Sequence, residues 1–271
     1  MTRLENKVAA ITGAGRGLGA TVARRFAVEG ASVVVADIDG DSTRAVAESI
    51  VGLGGQAIPH VMDVTRVKDA EAMARAAVDT FGSLDILVNN AAVFGRVVNV
   101  VDIAEETWDT TIRVNLKGPF LCSQAAIRHM RDQDYGGSIV FVSSVSGVLA
   151  NEHQADYNSS KHGLIGLARC VALDCRDWGI RSNIVCPAGM QGTAMMAMTD
   201  PANVAPYAAA NAFARFATTD EVASAILFLA SDEASFITGA VVMVDGGTTA
   251  WQPSGRQLAE GVARYMREHE G

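Results

Sequence analysis

A single α/β domain, its parallel sheet doubly wound with helices on both faces, is the fold this sequence predicts. Three observations carry the prediction. Short β-branched runs alternate with longer segments of helical period. The runs are apolar throughout, as strands covered on both faces must be. No linker, low-complexity tract or internal repeat breaks the alternation across residues 1–271, so one Rossmann-like domain of about seven strands is expected.

The elements follow in order. Residues 8–11 make a first strand, and Leu18, Val22 and Phe26 form the apolar stripe of the helix after it. Further strands are read at 32–36, 57–58, 86–88, 138–142, 180–185 and 240–244. Ala70, Met73 and Ala77 mark one intervening helix, and Leu164, Ala168 and Val171 another. Two regions depart from the alternation. Residues 190–216, rich in Met, Ala and Asn with Pro201 and Pro206, form an excursion long enough to serve as a substrate lid. Residues 248–271 form a C-terminal extension in which Leu258, Val262, Tyr265 and Met266 stripe a short helix, weakened by Gly261. Such a helix would dock on a neighbouring subunit near its lid; docking on its own subunit, or fraying, is equally open.

Composition narrows the classes of function. A net charge of −8 lacks the basic face that nucleic acid requires. No apolar run approaches the ~20 residues that span a bilayer, and the N-terminus carries no signal-peptide core, so a cytoplasmic protein is expected. Cys122, Cys170, Cys175 and Cys186 are scattered and suit reduced thiols. His60, His129, His153, His162 and His269 form no ligand cluster, so no metal is expected.

The first strand runs into Thr12-Gly13-Ala14-Gly15-Arg16-Gly17-Leu18-Gly19 and then a helix. A strand, a glycine turn and a helix N-terminus together suit a pyrophosphate: free N–H groups point at it, and glycines let the backbone approach. The spacing Gly13-x3-Gly17-x-Gly19 differs from the usual dinucleotide fingerprint, because Leu18 stands where that pattern has its third glycine. Asp37 ends the second strand, where a carboxylate accepts hydrogen bonds from ribose hydroxyls and repels a 2′-phosphate. NAD is therefore expected over NADP, with Arg16 pulling weakly the other way.

Tyr157 and Lys161 lie one turn apart on a helix-like segment. A phenol with its pKa near 10 is a poor base at neutral pH, and a fixed ammonium favours its ionised form. Ser143-Ser144 closes the fifth strand and Asn89-Asn90-Ala91-Ala92 the fourth, both at the carboxyl edge where ligands bind in such sheets.

As far as Gly247 the chain resembles the short-chain dehydrogenases/reductases. The matching pieces are the glycine turn, Asp37, Asp63-Val64, Asn89-Asn90-Ala91, Asn115, Ser144, Tyr157, Lys161, Asn183-x3-Pro187, Gly239 and Asp245-Gly246-Gly247. The resemblance implies an NAD-dependent alcohol dehydrogenase or ketone reductase with a tetrad of Asn115, Ser144, Tyr157 and Lys161, Tyr157 being the general acid/base. In that scheme Asn115 holds a water that links Lys161 to solvent. The cofactor would lie along Gly13, Arg16, Gly17, Leu18, Gly19, Asp37, Ile38, Asp63, Val64, Asn90, Ala91, Tyr157, Lys161, Pro187, Gly189 and Thr193. The resemblance further implies a homotetramer, with helices near 115–131 and 157–176 at a dimer interface. Three departures stand out: Ala92 replaces a glycine, Ala188 is inserted between Pro187 and Gly189, and the tail is long.

Substrate choice should come from residues 93–95, 145–156 and the lid, with Phe94, Ser146, His153 and Met195 as candidate contacts. The polar run Asn151-Glu152-His153-Gln154 suits a hydroxylated substrate or a solvated loop; Met195, Met196 and Met198 suit a steroid, terpene or acyl chain, or ordinary packing. Both readings stay open, and the small-molecule partner is an alcohol or ketone. The rivals are a 3-oxoacyl thioester reductase, at odds with Asp37, and a redox-silent dinucleotide sensor, which has no need of Ser144, Tyr157 and Lys161.

Overall fold

Seven parallel strands run in the order β3-β2-β1-β4-β5-β6-β7 in the computed structural model, which describes residues 2–193, 196 and 201–269. They are β1 (Val8–Thr12), β2 (Ser32–Asp37), β3 (Gln56–Val61), β4 (Ile86–Asn89), β5 (Gly137–Val142), β6 (Ile180–Pro187) and β7 (Val241–Val244). Each coincides with a run expected from sequence, extended by a few residues where the ladder continues past the apolar stretch. In β3 the exposed edge admits Pro59 and His60, since a proline that cannot donate to the ladder is tolerated there.

Strand alternation explains why both faces are apolar. Val33 and Val35 of β2 and Val140 of β5 pack into one core with α1 (Gly17–Val28), α2 (Gly40–Gly52) and α8 (Thr219–Ala230). Val34 and Ala36, with Ile139 and Phe141, point the other way, into a second core beneath α3 (Val67–Phe81), α5 (Gly118–Arg131) and α6 (Ala155–Asp174). The strand order reverses between β1 and β4. That switch point puts the carboxyl ends of both strands beside an open crevice.

Helix α4 (Glu105–Ile112) continues into α5 through a π-helical turn, Arg113–Lys117, which carries Asn115. Such a turn re-aims the side chains on it.

Helix α7 (Pro201–Ala209), in the segment expected to form a lid, and the tail helix α9 (Gly255–His269) pack against each other. Ala205, Ala208, Phe216 and Tyr265 make a small separate core, with Met196, Val204 and Val262 at its margin. The Phe216 and Tyr265 rings meet edge to face at 6.0 Å, and Arg264 donates to the Phe213 carbonyl at 2.9 Å. This face of the tail therefore packs on its own subunit. Gly261 is the point of closest approach: a Cβ there would stand 3.2 Å from that of Ala209. The glycine costs helix propensity and gains an intimate crossing. Leu258 and Met266 of the expected stripe stay exposed.

Candidate active site

The glycine turn is built by its neighbours. Thr12 accepts the Asn90 and Ala91 N–H groups on its hydroxyl, both at 3.1 Å, and Asn90 Nδ2 donates back to the carbonyls of Thr12 (2.9 Å) and Gly13 (3.0 Å). The end of β4 is thus laced to the end of β1. Gly13 (φ +64°) and Gly17 (φ +54°) occupy left-handed backbone, and a Cβ on Gly13 would come within 2.7 Å of Ala91 Cα. A Cβ on Gly19 would run into the Gly13 carbonyl, so this glycine serves the packing of helix on turn. Leu18 is buried in the first core, which leaves only its backbone for a ligand, while Arg16 is exposed. No side chain caps α1, so its first N–H groups are oriented for an anion.

Asp37 is held rigidly at the same edge. One carboxylate oxygen accepts from Gly15 N–H at 2.9 Å and the other from Asp39 N–H at 3.2 Å. Beside it Ile38 is 70% exposed, an apolar platform at the strand end. Asp63 accepts from Thr65 N–H at 2.9 Å, and Val64 is buried against Gly118. A dinucleotide fits this cradle: glycines where a side chain would intrude, an uncapped helix end, and a fixed carboxylate one strand away.

Ser144, Tyr157 and Lys161 come together at the ends of β5 and α6. Tyr157 is buried, and the Ser144 side chain stands close enough to its phenol to favour the ionised form. Burial pushes the phenol up to about 12, against the opposing pull of Ser144. Lys161 Nζ lies 5.5 Å from the Tyr157 ring centroid and donates to the Val142 carbonyl at 2.9 Å. Burial brings the ammonium down to about 8, with Cys186 opposing. Loss of solvent is thus the largest influence on the phenol in the chain by itself. Asn115 is fully buried; its side chain accepts Val93 N–H at 2.8 Å and donates to the Val93 carbonyl at 2.9 Å and to Ser160 Oγ at 3.2 Å. It braces the start of the 93–95 turn and touches Ser160, the residue before Lys161.

On the far side, Ala217 N–H donates to the Gly189 carbonyl at 3.1 Å and Gln191 N–H to the Ala217 carbonyl at 2.9 Å, around the strand-like pairing of Met190 and Ala217. A Cβ on Gly189 would press within 2.7 Å of the Phe216 ring. Thr193 accepts Met196 N–H and donates to the Met190 carbonyl, each at 3.2 Å. Its methyl would lie 3.9 Å from a Cβ on Gly17, so this loop overhangs the turn despite the insertion of Ala188.

The comparisons with known proteins fit this geometry. A family model described as enoyl-(acyl carrier protein) reductase matches residues 13–249. The trans-4-hydroxycyclohexanecarboxylate dehydrogenase of Sinomonas cyclohexanicum is 40% identical over 92% of this chain and 95% of its own. The 3-oxoacyl-[acyl-carrier-protein] reductase FabG of Thermotoga maritima is 38% identical over 90% of this chain and 98% of its own. The crystal structure of gox2181 superposes with a TM-score of 0.88 at 35% identity, covering 92% of this chain and 98% of that one. The chain belongs to the short-chain dehydrogenases/reductases. It is an oxidoreductase of the family type, for a small-molecule substrate and a nicotinamide dinucleotide.

Within that family frame the substrate candidates divide. Phe94 stands edge-on to Tyr157, ring centroids 5.0 Å apart, and lines the approach to the phenol. Ser146 is buried, its hydroxyl taking a hydrogen bond from Asn151 at 2.8 Å, so it faces the loop and not the crevice. His153 adopts a left-handed φ of +63°, and its carbonyl holds Val98 N–H at 3.0 Å. This ties the polar loop to the 93–99 segment. Asn151 is likewise engaged, by Ser146 and Asn158. Met195 and Met198 lie outside the described residues. Sequence reasoning missed Asp156 and Thr111, which are buried and bonded to each other at 2.8 Å behind this wall. An acidic residue directly before the tyrosine, with a glycine at 95, was the available signal. Among the described residues no group of His, Cys, Asp and Glu is arranged to hold a metal, and no helix is long and apolar enough to cross a membrane.

Proposed function

We propose that this protein is an NAD-linked dehydrogenase that interconverts an alicyclic secondary alcohol and its ketone, with Tyr157 as general acid/base. The observation that carries the reading is the convergence of Ser144, Tyr157 and Lys161 at the switch-point edge that also holds Asp37. The bound dinucleotide would supply the hydride acceptor, or the donor in the reverse direction, along the glycine turn, Asp37, Asp63 and Thr193. Its nicotinamide end would be received by Pro187, Gly189 and Thr193. Asp37 gives the preference for NAD: a 2′-phosphate would bring an anion against a carboxylate already fixed by Gly15 and Asp39.

The protein's own part is proton management. Ser144 holds the substrate oxygen while Tyr157 accepts the hydroxyl proton on oxidation and returns it on reduction. A phenol at about 12 does not ionise near neutrality without positive charge beside it. Lys161, still largely protonated below about 8, supplies one such charge. Asn115 braces the turn around this pair and, on the family pattern, links Lys161 to solvent through a water. The alicyclic substrate class follows the hydroxycyclohexanecarboxylate dehydrogenase relative and the aromatic wall that Phe94 forms at Tyr157. A cytoplasmic homotetramer goes with this reading, and Phe120 on α5, 44% exposed, suits the interface it requires.

Purified protein given NAD⁺ or NADP⁺ with cyclohexanols, cyclic diols, hydroxysteroids and acyclic alcohols tests the proposal. NADH formation from a cyclic alcohol is the expected result. The second reading, a 3-oxoacyl thioester reductase, rests on the FabG relative. It wins if the protein oxidises NADPH with an acetoacetyl thioester and leaves cyclic alcohols untouched.

A further inference from the structure

Asp156 directly precedes Tyr157 in the first turn of α6 and is 1% exposed. Its Oδ2 accepts the Thr111 hydroxyl of α4 at 2.8 Å, and its Oδ1 has no partner among the described residues. A buried carboxylate left half-paired is costly, even with the helix N-terminus favouring its charge. An uncharged residue would be easier to hold there, so the position calls for a task.

Gly95 shows what the carboxylate rests against. A Cβ on Gly95 would collide with Asp156 Oδ2 and stand 3.0 Å from Cγ and 3.3 Å from Oδ1. Two residues earlier, Val93 is gripped at both backbone polar groups by Asn115. The turn is therefore pinned at one end by an amide and seated at the other on a carboxylate. Between the two, Phe94 meets the Tyr157 ring at 5.0 Å with an interplanar angle of 64°. Asp156 and Tyr157 are adjacent in the chain, so whatever seats Gly95 also sets the distance from Phe94 to the phenol.

We propose that Asp156 is a positioning residue for the reaction: with Thr111 it seats Gly95 so that Phe94 stands as a fixed substrate wall against Tyr157. Asp156 acts through Phe94 and exchanges no proton with substrate. The glycine at 95 is part of the same device, because any side chain there would take the carboxylate's room. This inference rests on Tyr157 being the acid/base.

A double-mutant cycle between Asp156→Ala and Phe94→Ala tests it, read as kcat/KM for the best cyclic alcohol and as the dissociation constant for NADH. Asp156→Ala is expected to lower alcohol kcat/KM about tenfold, with NADH binding changed by less than about twofold. In the Phe94→Ala background the same change should have less than about a twofold effect, since the wall it positions is gone. Asp156→Asn, which keeps the acceptor for Thr111, should recover most of the loss. Additive losses in the cycle, or an Asn variant as impaired as the Ala variant, would overturn the proposal. Should Asp156→Ala fail to fold, Thr111→Val replaces it in the cycle with the same expectations. Tyr157→Phe is run in parallel: turnover surviving there sinks the reading of the site itself, whereas a dead Tyr157→Phe with an additive cycle sinks only the role of Asp156.

Discussion

The catalytic edge and the lid–tail layer of this molecule are built on different principles. At the edge, each group expected to function is tied to a strand end or to the turn beside one: Thr12 to Asn90 and Ala91, Asp37 to Gly15, Asn115 to Val93, Lys161 to Val142. These bonds are buried or half-buried, and they sit at the ends of strands whose apolar side chains fill the two large cores of the sheet. The lid and tail share a third, small core of four buried residues, joined to the edge where Phe216 presses on Gly189. The candidate chemistry is thus set on the sheet, whereas residues 201–216 and the tail form a separate layer with its own small core. Local opening of such a layer costs far less than opening the sheet.

The sharpest way to break this contrast is to damage the edge and find activity intact. Tyr157→Phe keeps the ring packed on Phe94 and removes only the oxygen, so turnover should fall by about 10³-fold or more while NADH binding holds. Measurable dehydrogenase activity within tenfold of the parent would move the acid/base elsewhere.

Protonation offers the next test. Lys161, brought down to about 8 by burial, and a phenol pushed up to about 12 share one buried space. The first proton lost belongs to the pair. Alcohol oxidation should therefore rise with pH, with an apparent midpoint near 8 in kcat/KM, because the ionised pair is the form that accepts the substrate proton. Lys161→Met removes the lower ionisation and should shift that midpoint upward by more than about one pH unit. A profile flat from pH 6 to 10, under conditions where chemistry limits the rate, contradicts the assignment.

Cofactor choice carries a smaller effect. Asp37→Ser removes the carboxylate that, in the proposed reading, would meet the ribose, and frees Gly15 N–H. NAD⁺ should lose about 10-fold or more in kcat/KM and NADP⁺ should gain, helped by the exposed Arg16. An unchanged preference ratio would show that selectivity lies elsewhere in the crevice.

How much of this could be read before folding follows the same division. The seven strands were legible because residues with two buried faces, such as Val33-Val34-Val35, must be apolar without interruption. The edge residues were legible because their spacing is set by the strand ends. The polar loop at 151–154 was not, since Asn151 is engaged by Ser146 and Asn158 and the His153 carbonyl by the distant Val98 N–H, partners that only the folded chain reveals. Asp156 offered only its place directly before the tyrosine as a signal, because its meaning lies with Thr111 and Gly95, both more than forty residues away. Gly261 was read as a weakness in a helix, and only the facing Ala209 makes it a contact.

The tail gives the smallest expected effect and the finest test of the contrast. Tyr265 and Val262 bury against α7, and Tyr265 meets Phe216 at 6.0 Å, which in turn rests on Gly189 beside the Thr193 loop. That chain of contacts runs from the C-terminal helix to the cofactor side of the crevice without passing through either large core. Tyr265→Ala removes an aromatic pair and an apolar plug; in a fully packed core this would cost about 3–5 kcal/mol. In a layer that opens locally the loss should stay local. The expected outcome is a fall of less than about 3 °C in the main melting transition. Alcohol KM should rise about three- to tenfold with kcat little changed, as for a loosened lid. Deleting residues after Ala250 should reproduce this pattern and leave the oligomer mass per subunit count unchanged, because the docked face belongs to the same subunit. A large drop in melting temperature would instead join the tail to the main cores, and a change in assembly would give its exposed Leu258 and Met266 the partner they lack within the described subunit.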